Sequence, residues 1–123
     1  MELADLSDRV IHCAIEVHRC LGPGLLESAY SQCFARELRA AGISFEREKA
    51  VGLTYKDVRI ECGFRLDMLV ENCMIIELKA VDRLLPIHRA QLLTYLRTSK
   101  VKVGLLINFN SRTLKDGLVR LAL

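Results

Sequence analysis

Apolar residues recur at three- and four-residue steps through Leu3, Leu6, Val10, Ala14, Val17 and Leu21, which predicts a helix over residues 3–21. Ile11, Ile15 and His18 form a second stripe beside the first. The Leu21-Gly22-Pro23-Gly24 segment stops this helix, because glycine and proline both interrupt helical backbone. A second helix is expected over 25–41, with Leu26, Ala29, Cys33, Leu38 and Ala41 supplying much of its buried face and Gly42 at its C-terminal stop. From Ile43 the period changes to two. Ile43, Phe45, Val51, Leu53 and Tyr55 read as strand, Lys56-Asp57 as a turn, and 60–70 and 73–80 as two strands joined at Glu71-Asn72-Cys73. Pro86 opens a third helix running to about residue 98, since proline is tolerated in a first helical turn. Residues 101–109 are almost continuously apolar, as in a strand covered on both faces. The basic, amphipathic tail 111–123 is a short helix or an edge element. The order ααβββαβ describes an α/β fold: a three-strand meander, a crossover helix and a further strand in a mixed sheet flanked by helices.

The 123 residues suit one domain, 1–123. No apolar run is long enough to span a bilayer. The N-terminus MELADLSDRV is acidic and amphipathic and lacks the pattern of a signal peptide, so the expected location is the cytoplasm. Five cysteines with no CxxC pair argue against a zinc ribbon or a disulfide framework, and each is read as a small apolar residue. The net charge of +3 is mild, but it is unevenly spread. Residues 1–60 hold eight Lys/Arg and nine Asp/Glu, while 61–123 hold ten and six. A phosphate-facing surface is therefore sought in the second half.

The hairpin FRLDMLV and CMIIELKA carries the chemistry. Alternation sets Phe64, Leu66, Met68 and Val70 on one face and Arg65, Asp67 and Leu69 on the other. In the second strand Ile75, Glu77 and Lys79 share a face. A turn centred on Asn72 places Asp67 directly across from Glu77, with Lys79 one step along. Two facing carboxylates repel unless a cation lies between them, and Mg²⁺ or Mn²⁺ suits oxygen ligands. A lysine beside them can orient water for attack on a phosphodiester. The same Glu-x-Lys on a strand is also compatible with a solvated face, and only the matching Asp and the apolar setting favour chemistry.

Residues 24–30 read G-x-x-E-x-x-Y. Asp67, the Glu77-Leu78-Lys79 triplet, the run Gln91-Leu92-Leu93-Thr94-Tyr95-Leu96 and the run VGLLINF follow in order. Over about residues 6–118 the chain closely resembles the GxxExxY family of small bacterial proteins within the PD-(D/E)xK nuclease superfamily. The resemblance implies a restriction-endonuclease-like core and a metal-dependent nuclease acting on DNA or RNA. It implies that Asp67 and Glu77 bind Mg²⁺ or Mn²⁺, that Glu27 and the Leu78 carbonyl complete the ligands, that Lys79 assists the attacking water, and that Gln91 supports the site. Leu66 stands where many members have the proline before the aspartate. Tyr30, His18, His88 and Tyr95 are possible accessory residues, each equally readable as structural. Arg112, Lys115 and Arg120 are candidate nucleic-acid contacts. The alternative function is a binding module for nucleic acid or protein that does not cut. Either form is compatible with a homodimer through the apolar C-terminal elements.

Overall fold

The computed structural model describes residues 2–123. Helix α1 spans Leu3–Leu21 and α2 Glu27–Ala40; strands β1 (Phe45–Tyr55), β2 (Val58–Val70) and β3 (Met74–Lys79) form the meander. Helix α3 (Pro86–Ser99) crosses to β4 (Val103–Asn108), and a single 3-10 turn (Lys115–Gly117) leads to β5 (Leu118–Ala122). The tail is thus an edge strand, which extends the expected four-strand sheet to five, in the order β1-β2-β3-β4-β5. Only β3 and β4 are parallel; every other neighbouring pair is antiparallel. Three helices on a five-stranded mixed sheet make an α/β architecture consistent with a restriction-endonuclease-like fold.

Alternation along β4 divides the core. Val103, Leu105 and Ile107 pack with α1 and α2, around Val10, Val17, Phe34 and Leu38. Leu106 packs on the other face with Leu92 and Leu96 of α3. All six β4 residues are buried, as a strand covered on both faces requires. Helix α2 differs from expectation at its face. Tyr30, Phe34, Ala35 and Leu38 are its buried residues, while Leu26 and Cys33 are exposed. All five cysteines are free thiols; Cys13 is buried, Cys73 half-buried, and Cys20, Cys33 and Cys62 exposed. Gly42, with φ 72°, takes the left-handed position that ends α2.

The meander hairpins close on tight turns. Glu71 and Asn72 both have positive φ, and Cys73 N–H donates to the Val70 carbonyl at 3.0 Å, a geometry whose twist matches that of the strands. The other turn falls at Lys56-Asp57, as expected. Beyond Gly63, β1 and β2 continue as a two-stranded ribbon, with Tyr55, Val58 and Ile60 exposed. Among the described residues no helix is long and apolar enough to cross a membrane.

Candidate active site

The β2–β3 pairing has the expected register: Met68 faces Ile76, Leu69 faces Ile75 and Val70 faces Met74. It stops one step before Asp67 and Glu77. There the carboxylates replace the ladder. Asp67 N–H donates to Glu77 Oε2 at 2.9 Å, and Leu78 N–H donates to Asp67 Oδ2 at 2.8 Å. Each acid therefore satisfies a backbone donor of the opposite strand. Asp67 Oδ1 and Glu77 Oε1 carry no hydrogen bond of their own among the described residues.

Asp67 also marks a change of face. Phe64 and Leu66 pack with α3, whereas Met68 and Val70 pack with α1 and α2. The simple alternation expected for 64–70 therefore breaks at Asp67. Strand β1 breaks beside it: Glu48 has φ 51°, Phe45 packs on the α1–α2 side and Val51 on the α3 side. A non-glycine residue held in left-handed backbone within a strand is costly and marks a local constraint.

Burial pushes the Glu77 carboxyl up to about 8, with the Asp67 charge adding to the rise. Glu77 is 4% exposed, so water does little to stabilise its charge. Asp67 is raised by burial, and Glu48 adds to that. Glu27, in the first turn of α2, is raised by burial and then by Asp67. Lys79 opposes all three shifts, so it is the cation these acids share. Glu27, Asp67 and Leu78 line one cavity of about 290 Å³ together with Ser28, Ser31, Arg47 and Glu48. Sequence reasoning missed Arg47 and Glu48. The stretch 46–49 is wholly polar and offers no alternation from which to assign a face.

The accessory candidates separate. Tyr95 stacks on Phe64 at 4.4 Å between ring centroids; burial raises its phenol, and the charges of Glu77 and Asp67 add to the rise. Gln91, on the same stripe of α3, is exposed. Tyr30 is fully buried, stacks on Phe109 at 4.8 Å, donates to the Gly22 carbonyl at 2.6 Å and accepts from Leu25 N–H. His18 bonds the Ser111 carbonyl at 2.8 Å. His88 Nδ1 accepts from Leu85 N–H and so closes the first turn of α3. These last three are spent on holding loops. Of the basic candidates, Arg112 lines a cavity beyond β4, Lys115 lies in the 3-10 turn, and Arg120 alternates with Val119 and Leu121 onto the opposite face of β5.

Hard oxygen donors on Glu27, Asp67, Glu77 and the Leu78 carbonyl are of the type that Mg²⁺ or Mn²⁺ takes. Among the described residues, no three His, Cys, Asp or Glu side chains are gathered closely enough to hold a metal ion. The acids are neighbours coupled by charge, not a closed cage.

No curated protein and no solved structure matched the chain. A family model matches residues 4–121, and its family is the PD-(D/E)XK nuclease superfamily. The match spans nearly the whole chain and covers the interlocked acids, Lys79 and the strands that carry them, so the protein belongs to the PD-(D/E)XK nuclease superfamily.

Proposed function

We propose that the chain is a divalent-metal-dependent nuclease that hydrolyses phosphodiester bonds of DNA or RNA, and that within its superfamily it is of the GxxExxY type. The observation that carries this reading is the exchange at the end of the β2–β3 ladder, where two acids sit interlocked in an apolar setting beside one lysine. Glu77 and Asp67 are held by opposite backbones, and each keeps one oxygen without a hydrogen bond among the described residues. Glu27 at the start of α2 and the Leu78 carbonyl complete a donor set for Mg²⁺ or Mn²⁺. Glu27 is the least confined of these and is the ligand that moves inward on binding. A bound divalent cation supplies Lewis-acid polarisation of the phosphate and a more acidic water. Lys79 orients the attacking water and stabilises negative charge that develops on the phosphate. Tyr95 and Gln91 border the site from α3.

The test is cleavage of single- and double-stranded DNA and RNA oligonucleotides by the folded protein with Mg²⁺, Mn²⁺ or a chelator. Metal-dependent cutting that disappears in an Asp67→Asn, Glu77→Gln double variant is expected. A folded parent protein that binds no Mn²⁺ and cuts none of the four substrates refutes the reading. A non-cleaving module on the same fold is the second reading, favoured by the absence of a gathered metal-ligand group among the described residues. Oligonucleotide binding that survives the double variant, with no cutting by the parent, selects it. Self-association is a separate proposal that follows from β5 being an edge strand; sedimentation as a monomer at micromolar concentration removes it.

A further inference from the structure

The largest cavity described, of about 500 Å³, lies away from the acids. It opens where the parallel pair β3–β4 ends, and its lining includes Arg83, Arg89 and Arg112 with Asn108 and Asn110. Ligands of open α/β sheets are commonly held beyond the carboxyl ends of the strands, and this volume is in the range of small-ligand sites.

The floor of the cavity is rigid. Asn108, 2% exposed and the register partner of Lys79, accepts from Val81 N–H at 3.0 Å and donates to the Val81 carbonyl at 2.8 Å. Asn110 donates to the same carbonyl and accepts from Gly24 N–H at 2.9 Å. The Ser111 hydroxyl lies 2.8 Å from the Asn108 carbonyl and 2.6 Å from the Thr113 carbonyl, and its single proton is shared between them. This network fixes the segment after Lys79 that carries Arg83. The rim is different. Arg83, Arg89 and Arg112 are exposed, and among the described residues none makes a hydrogen bond or an ion pair. Asp82 and Asp116 line the same cavity without pairing to them, which leaves the lining with a net charge of +1 from three arginines and two aspartates. Three guanidinium groups on a fixed floor, drawn from the β3–α3 loop, the first turn of α3 and the loop after β4, are a receptor in want of an anion. Guanidinium is the group best matched to phosphate oxygens in paired hydrogen bonds.

We propose that this cavity binds backbone phosphate of the polynucleotide at a distance from the bond being cut, with Arg83, Arg89 and Arg112 as its contacts. The inference rests on the reading of the chain as acting on nucleic acid. It adds a substrate-gripping subsite separate from the Asp67–Glu77 pair. Free inorganic phosphate or a mononucleotide presents the same chemistry, and the test separates these sources.

The experiment measures anisotropy of fluorescein-labelled 16-nucleotide single strands and 16-base-pair duplexes against the full chain in chelator, over a series of salt concentrations. An Arg83→Ala, Arg89→Ala, Arg112→Ala variant is expected to bind at least about tenfold more weakly at low salt. Its salt slope is expected to fall by about two to three units, at about 0.9 for each phosphate that is no longer neutralised. Arg36→Ala, on α2 and paired with Glu37, leaves binding unchanged. Should the triple variant fail to fold by far-ultraviolet circular dichroism, Arg83→Ala and Arg112→Ala are read singly, each with about a threefold loss and a slope reduced by about one unit. Unchanged affinity and slope in the folded variants overturn the proposal, as does a parent protein that binds neither oligonucleotide. Arginine-dependent calorimetric binding of inorganic phosphate, with oligonucleotide affinity untouched by the substitutions, assigns the cavity to a free anion and also overturns it. The two readings fail separately. A parent that cuts while the triple variant binds normally removes only the subsite, and arginine-dependent binding by a parent that never cuts removes only the nuclease.

Discussion

Strand β3 has two neighbours and treats them differently. Against β4 it pairs without interruption from Met74 to Lys79. Against β2 it pairs only from Met74 to Ile76, after which Asp67 and Glu77 exchange side-chain bonds with the backbone. The apolar side gives stability, and the interrupted side carries the acids. A regular ladder would have satisfied the Asp67 and Leu78 amides without charge. Here the amides are satisfied by acidic side chains, in a setting where burial raises Asp67 and carries Glu77 up to about 8.

The comparison breaks most severely if both acids lose their charge. Asp67→Asn with Glu77→Gln is expected to lower metal-dependent cleavage by more than about a hundredfold, since even partners of metal ligands typically matter tenfold to a hundredfold. A product assay on labelled DNA and RNA reads this. Thermal stability in chelator should hold or rise, because amide oxygens still accept both backbone bonds while buried charge is removed. On the paired side the outcome reverses. Leu105→Ala, at a fully buried position of β4, should cost about 2–5 kcal/mol in urea unfolding. Substrate affinity per folded molecule should stay as it was.

The pH dependence tests the interrupted side alone. Glu77 has its folded value raised from 4.5 to about 8. A raised carboxyl contributes stability fully below the unfolded value, and that contribution is lost as pH rises through the folded one. In chelator the melting temperature should therefore fall between about pH 4.5 and about pH 8, and Glu77→Gln should flatten that fall. Mn²⁺ affinity should change in the opposite sense, tightening over the same range, since binding releases the proton. The smallest effect is expected at Tyr30→Phe. It removes the hydroxyl between Gly22 and Leu25 and should lower stability by about 1–2 kcal/mol without altering the acids.

The order of the three helices and the first four strands was readable because most of them have a recognisable period and end on a glycine, proline or turn residue. The hairpin register was readable too, since the short turn leaves few ways to pair residues 68–70 with 74–76. Three features were not. The break of the ladder at Asp67 depends on side chains reaching across to the backbone, which periodicity does not encode. The face change at Glu48 and Asp67 needs left-handed backbone at a glutamate, a conformation with no residue signature when glycine is absent. The tail 111–123 has an amphipathic pattern that suits either helix or edge strand, and pairing with β4 decides it. The site was legible as far as its charged residues. Which of them touch was not: His18 and Tyr30 bond loop carbonyls, and His88 closes the first turn of α3.

The ribbon beyond Gly63 has a practical consequence. Its tip at Lys56-Asp57 is a two-residue loop on an arm whose Tyr55 and Val58 are 61% and 52% exposed, so little of the core depends on it. Loop tips of this kind tolerate added chain better than core-packed loops do. A fluorophore or a small folded domain inserted between Lys56 and Asp57 would ride on the two strands that carry Glu48 and Asp67. Changes at the acids would then be read at a distance.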